Sequence, residues 1–341
     1  MVTQVKLTEA QLAAFETDGV ICLRGVLNET EIAKLRSEID RQMVARDQSQ
    51  TGYDFEKISA QVWQGKSAID VGAAQRFDVD GLVGLIHADE AARPLLEEDT
   101  APETGCFFYD VAGWRRSKDI RDVGFDSALP QLVGELMRSE TVRFWEDTTF
   151  VKSPHTRQKT AYHQDLTYFQ IQGEHCVIAW IPLDPAGLDN GVMKYVRGSH
   201  LWGQNFAPNM FVSQTVFPGV VDPKCPNIDE TEDAYDIVHF DVAPGDVLIH
   251  HVKTLHGAGG NVTDQPRRAI SFRYTGDDVR YHDKPGAMPQ PDMWDRPEEG
   301  ARLETPDYPM VWPKPWPGVS ISDLFDTWLQ AVLHETRQRA A

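Results

Sequence analysis

Three side chains in this chain have the types and spacing to hold a metal ion. His163 and Asp165 stand two positions apart in Ala161-Tyr162-His163-Gln164-Asp165-Leu166-Thr167-Tyr168-Phe169. Successive side chains of a strand point to opposite faces, so the imidazole and the carboxylate share one face and Gln164 points away. A third donor, His256, follows the apolar run Val247-Leu248-Ile249 and precedes the glycine-rich exit Gly257-Ala258-Gly259-Gly260. It lies so far along the chain that only tertiary folding brings it to the pair. Two histidines and one carboxylate leave coordination positions open, the ligand set of non-haem Fe(II) oxygenases. Three protein ligands and a water describe a catalytic zinc equally well.

Arg267 discriminates between these chemistries. It opens a strand eleven positions after His256, and a guanidinium near a ferrous site suits bidentate recognition of a carboxylate. Arg267 and Arg268 point to opposite faces, so only one can serve, and Arg267 is the expected anchor. Lys152 and Thr149, on an earlier strand, and Trp180 are further candidates for cosubstrate contact. Tyr162, Tyr168, Phe169 and Trp180 offer an aromatic wall against water. His250 and His251 compete with His256 by proximity alone and are expected to be core or surface histidines. His200, in Gly198-Ser199-His200, is expected in a turn.

The elements that position these residues change character along the chain. Thr8 followed by Gln11 is a capping signature for a short helix that Gly19 ends, and Val20 to Leu27 reads as a strand. Asn28 or Thr30 caps a second helix to about Ala45, with Ile32, Leu35, Ile39 and Met43 at helical spacing. Helices are also predicted over Val79–Glu97 and Leu129–Met137, a strand over Phe107–Val111, and a solvated basic run at Arg115-Arg116-Ser117-Lys118. Beyond Ser139 come short strands, predicted at Val142–Lys152, Thr160–Phe169, Val177–Pro182, Gly191–Val196, Ile237–Phe240, Val247–His250 and Ala269–Thr275. That texture is mainly β with flanking helices, a sandwich or jelly-roll barrel rather than alternating βα units. One domain is expected: residues 1–140 a mostly helical scaffold, 141–280 the core with the metal site, 281–341 a wrapping segment and a helix. The apolar stripe of that last helix (Ile321, Leu324, Phe325, Trp328, Leu329, Val332, Leu333) is expected to pack on the barrel, with a homo-oligomer contact as the minority alternative.

Bulk properties exclude other classes. A formal charge of −19 over 341 residues argues against a nucleic-acid partner, which needs a basic face. The start of the chain has no apolar signal region, and no stretch reaches the length of a membrane span. Four scattered cysteines without a CxxC pair suit free thiols in a reducing cytoplasm.

Taken together, the segments resemble the phytanoyl-CoA dioxygenase family of Fe(II)/2-oxoglutarate oxygenases. The likeness rests on Tyr162-His163-Gln164-Asp165, on Ile181-Pro182-Leu183-Asp184 through Asn190-Gly191-Val192-Met193 to Gly198-Ser199-His200, and on His256-Gly257-Ala258, Asn261 and Pro266-Arg267-Arg268-Ala269. The opening Phe15 to Arg36 is similar as well. The resemblance implies a double-stranded β-helix (cupin-like jelly roll), iron held by His163, Asp165 and His256, and Arg267 on the distal carboxylate of 2-oxoglutarate. It also implies consumption of O2 and 2-oxoglutarate, release of succinate and CO2, and hydroxylation of a small organic molecule. Related halogenases carry a small residue where Asp165 stands, so retention of the carboxylate favours hydroxylation. Tyr162 departs from a frequent Trp and Ala258 from Ser. A metal-binding jelly roll without oxygenase activity, or a zinc hydrolase, is the alternative.

Overall fold

Short β-branched and aromatic runs cannot bury both faces alone, and here they pair into two antiparallel sheets around an enclosed interior. The computed structural model describes residues 6–49, 51–54, 105–212, 214, 216, 220–288, 290–291 and 293–340. The helix predicted over Val79–Glu97 lies outside the described residues.

The major sheet is built on β4 (Val142–Lys152), β7 (Cys176–Pro182), β10 (Val247–His251) and β12 (Arg267–Thr275). It is extended by β1 (Val20–Leu23) at one edge and by β3 (Phe107–Val111) and β2 (Gly52–Asp54) at the other. The order is β1-β10-β7-β12-β4-β3-β2, with β14 (Met310–Trp312) also on β4. The minor sheet runs β5 (Thr160–His163), β11 (His256–Ala258), β8 (Met193–Val196), β9 (Ile237–His239). A small pair, β6 (Ile171–Gln172) with β13 (Arg280–Tyr281), lies apart from both. This is the jelly roll expected from the sequence.

Helices cover the outer face of the major sheet. Helix α1 (Glu9–Asp18) starts at a Thr8–Gln11 capping box and ends at Gly19, φ +74°. A side chain at Gly19 would meet His200 Nδ1 at 2.3 Å and Thr254 Oγ1 at 2.5 Å, so glycine serves both the turn and the packing. Helix α2 (Glu29–Val44) is capped by Asn28. Helix α3 (Lys118–Asp126), not predicted, starts at the end of the basic run and buries Ile120, Val123 and Phe125. Helix α4 (Leu129–Met137) is only nine residues long, too short to persist alone, and buries Leu132, Val133 and Leu136 on the sheet. Each such side chain contributes roughly 1.5–3 kcal/mol of transfer free energy. Tertiary packing therefore holds the helix.

Two expectations change. Arg115 is buried, not solvated: it pairs with Asp307 at 2.7 Å, its guanidinium between the Trp114 and Trp294 rings at 4.6 and 4.4 Å. The last helix, α5 (Ile321–Ala340), packs on α3, with Ile321 and Phe325 in the core and Trp328 and Leu329 partly buried against it. Four residues of its stripe are thus used within the chain, while Leu324 is exposed. The preceding segment wraps the barrel, where Tyr308 stacks on Trp145 at 4.9 Å between centroids. No helix among the described residues is long and apolar enough to cross a membrane.

Candidate metal centre

The minor sheet brings two of the three predicted ligands into register. Strand β11 pairs antiparallel with β5 so that His256 lies opposite His163. Their ring centroids are 4.3 Å apart. Close approach at the next position depends on Gly257, where a Cβ would stand 2.9 Å from the Thr160 carbonyl oxygen and 3.2 Å from the Tyr162 ring. Strand β5 stops at His163, and Asp165 opens a 3-10 turn through Tyr168. The two side chains still share a side, by a turn rather than by a continued strand. Gln164 points away and clamps the turn: its amide donates to the carbonyls of Gln204 (3.1 Å) and Lys253 (2.9 Å) and accepts from Phe206 N–H at 3.0 Å.

One donor atom from each of His163, Asp165 and His256 lies within 4.8 Å of the others, and all three residues are buried. His163 Nδ1 faces its own strand's Ala161 carbonyl at 2.7 Å, and His256 Nδ1 faces the Thr254 carbonyl at 2.9 Å. A carbonyl accepts only, so each Nδ1 carries the proton and each Nε2 lone pair is turned to the centre. The Nε2 atoms stand 3.7 and 3.6 Å from the Asp165 carboxylate. Burial, reinforced by the neighbouring imidazoles, holds His256 well below the ordinary histidine range, which keeps it a neutral donor. Burial works against ionisation of Asp165, but the imidazoles of His256, His163 and His250 outweigh it and keep the carboxyl ionised. Two neutral imidazoles and an ionised carboxylate form a fitting donor set for a divalent first-row ion.

His250 is the buried core histidine expected, but sequence reasoning missed its role. It is buried on β10, and its Nε2–H donates to Asp165 Oδ2 at 3.1 Å. It orients the carboxylate from behind. Another missed residue is Phe211, held at φ +63°, whose ring centroid is 5.2 Å from that of His163. No periodicity marks a single aromatic in a loop.

The interior holds a narrow cavity of about 30 Å³, lined by the three candidate ligands together with Trp180, Arg267 and Arg273 among others. Arg267 is buried, with its guanidinium 5.7 Å from the Trp180 ring centroid, while Arg268 turns outward to a two-point pair with Asp184. Lys152 lies opposite Arg267 in the β4–β12 register, wholly buried, its Nζ donating to the Gly259 carbonyl at 2.5 Å. Burial, then the positive charge of Arg267, pushes the Lys152 ammonium well below the usual lysine range, and burial lowers Arg267 to about 10. Two buried cations side by side make a site for a carboxylate.

Thr149 is not part of this site. It pairs in register with Ile270, which belongs to the helix-side core, so its hydroxyl faces away from the cavity. Tyr162 likewise points outward, its hydroxyl towards Glu232 at 3.4 Å, and the wall is built instead by Phe107, Phe150 and Phe211. His251 contacts the Glu174 carbonyl and His200 the Glu16 carbonyl, both away from the centre.

Comparison with known proteins bears on this geometry. The family model described as phytanoyl-CoA dioxygenase (PhyH) matches residues 15–269. A probable phytanoyl-CoA dioxygenase of Caenorhabditis elegans is 29% identical over 34% of this chain and 36% of its own length. The peroxisomal phytanoyl-CoA dioxygenase of Homo sapiens is 28% identical over 40% of this chain and 40% of its own. The chain thus spans about two fifths of the length of these curated relatives. Among solved structures, the non-haem α-ketoglutarate-dependent carbocyclase SnoK from nogalamycin biosynthesis superposes with a TM-score of 0.60 at 19% identity, covering 89% of this chain and 96% of that one.

Proposed function

Because this chain belongs to the phytanoyl-CoA dioxygenase family, we propose that it is an Fe(II)- and 2-oxoglutarate-dependent dioxygenase that hydroxylates a small organic molecule. The observation carrying this reading is the convergence of His163, Asp165 and His256 in one cavity with Arg267. In this reading His163 Nε2, Asp165 and His256 Nε2 hold iron, and Arg267 with Lys152 holds the distal carboxylate of 2-oxoglutarate. Bound there, iron supplies O2 activation coupled to oxidative decarboxylation of 2-oxoglutarate to succinate and CO2, with oxidation of a substrate C–H bond.

The protein's own part is position and exclusion. The Nδ1–carbonyl contacts fix the tautomers, His250 turns the Asp165 carboxylate, and Phe107, Phe150 and Phe211 keep bulk water from the oxidising centre. A carboxylate beside the Lys152 ammonium offsets the burial and the Arg267 charge that hold it below the usual lysine range. The four cysteines are unpaired, which supports a reducing, cytoplasmic setting.

The test is succinate formation from 2-oxoglutarate in air. Native protein with Fe(II) forms succinate, and His163→Ala with Fe(II) does not. Undiminished turnover in His163→Ala contradicts the site. A native protein inert with Fe(II) but hydrolytic with Zn(II) returns the zinc alternative.

A further inference from the structure

Beyond Arg267 and Lys152, the cavity has a third buried cation with no part in cosubstrate binding, Arg273. Along β12 the inward positions alternate with those of the helix-side core, Ile270 and Phe272. The inward face therefore reads Arg267, Ala269, Ser271, Arg273, a cation at each end and two small residues between. All but Ala269 line the cavity with the candidate ligands, and Ala269 is buried in the adjoining apolar cluster.

Arg273 is 7% exposed. Its Nη1 donates to Thr148 Oγ1 at 2.6 Å, and its guanidinium carbon lies 5.2 Å from the Phe169 ring centroid, in the turn that starts at Asp165. Its Nε–H is buried without an acceptor. Among the described residues it makes no ion pair. A guanidinium carries five donors in a fork matched to an oxyanion, and burying one without a counter-charge costs several kcal/mol. The contrast with the other buried guanidiniums is direct: Arg115 has Asp307, and Arg121 has Asp326.

One 2-oxoglutarate molecule does not satisfy both ends. Arg273 is six residue steps along the strand from Arg267, roughly 20 Å between Cα atoms, and Arg267 has Lys152 beside it for the cosubstrate's distal carboxylate. Arg273 is instead at the level of the metal. It is opposite Ile178 on β7, which is opposite His250 on β10, and His250 bonds Asp165. A group bound at Arg273 is thus held beside the reacting centre.

We propose that Arg273 is a specificity residue that binds a carboxylate on the substrate oxidised at the iron, so that the substrate class is a small organic acid with an apolar body lying along Phe107, Phe150 and Phe211. This rests on the oxygenase reading. Two carboxylates are then anchored at the two ends of one strand, the cosubstrate's at Arg267 and the substrate's at Arg273.

The test is anaerobic calorimetry on the protein loaded with Fe(II) and 2-oxoglutarate, using hexanoate, 3-phenylpropanoate and the primary amide of each. At least one acid binds about 10- to 100-fold more tightly than its amide, the range expected of a charge-assisted pair over a neutral hydrogen bond. Arg273→Gln, which keeps a donor for Thr148, reduces acid affinity to the amide level, and Arg273→Lys recovers part of the difference. 2-Oxoglutarate affinity in Arg273→Gln stays within about twofold of native, and the thermal melt of each variant reports its folding. Acid and amide binding equally to native protein, or no acid binding, overturns the proposal. So does a parallel loss of 2-oxoglutarate affinity in Arg273→Gln, which assigns Arg273 to the cosubstrate. Failure of native protein to bind 2-oxoglutarate at all removes the oxygenase reading itself, a separate outcome.

Discussion

The two faces of the major sheet are both buried, yet they treat polar groups in opposite ways. On the helix side, Ile270, Phe272 and Val151 pack into the apolar core, and the carboxyl among them, Asp147, takes a hydrogen bond from Trp114 N–H at 2.7 Å. On the cavity side the same strands present Ser271 and three cationic side chains, Lys152, Arg267 and Arg273, without carboxylate partners among the described residues. A polar group on the first face serves folding. A cation on the second gains its counter-charge only from a ligand, so its removal should alter binding before it alters stability.

Three substitutions bear on that contrast, from the largest effect down. Arg267→Leu should weaken 2-oxoglutarate binding by about 100-fold or more, since it removes one partner of a desolvated ion pair, with little change in melting temperature; calorimetry and a melt on the same sample check both. Collapse of the melt with affinity intact would put Arg267 on the folding side. His250→Phe should lower Fe(II) affinity by about 10- to 100-fold, the usual cost of removing a hydrogen bond behind a metal ligand, and His250→Gln should restore part of it. Competition against a chelating dye reads this. Asp147→Asn tests the other face. Burial raises the Asp147 carboxyl from its ordinary value to about 7. A raised pKa contributes stability at low pH that is lost as pH climbs through 7. The asparagine variant should therefore be more stable than native at pH 8, by about 1–2 kcal/mol, with the difference shrinking as pH falls from 7 and gone below about pH 4. No pH dependence of the difference would contradict the assignment.

Much of this was legible in the chain. Val142–Lys152 and Leu129–Met137 appear with the bounds their patterns give, and the Thr8 and Asn28 caps are where side-chain chemistry puts them. The candidate ligands could be picked out because few residue types bind metals. What was hidden has physical reasons. In α3 the charges of Lys118, Asp119 and Asp122 mask the helical spacing of Ile120, Val123 and Phe125. Arg115 looked solvated because its partner Asp307 and its covering ring Trp294 lie far along the chain. Other errors were avoidable. Thr149 and Lys152 are three apart on one strand, and Tyr162 and His163 are adjacent, so strand alternation alone separates their faces. His250 had no such signal: which of two adjacent histidines faces Asp165 depends on the register of β10 against β7.

The most direct measurement is the visible spectrum of the protein mixed anaerobically with Fe(II) and 2-oxoglutarate. Chelation of iron at the centre of His163, Asp165 and His256 should give a weak metal-to-ligand charge-transfer band in native protein. The band should be absent in Asp165→Ala and His256→Ala, and in Arg267→Leu it should need far more 2-oxoglutarate to appear. No band in native protein under saturating Fe(II) and 2-oxoglutarate, or an unchanged band without Asp165 and His256, would contradict the account.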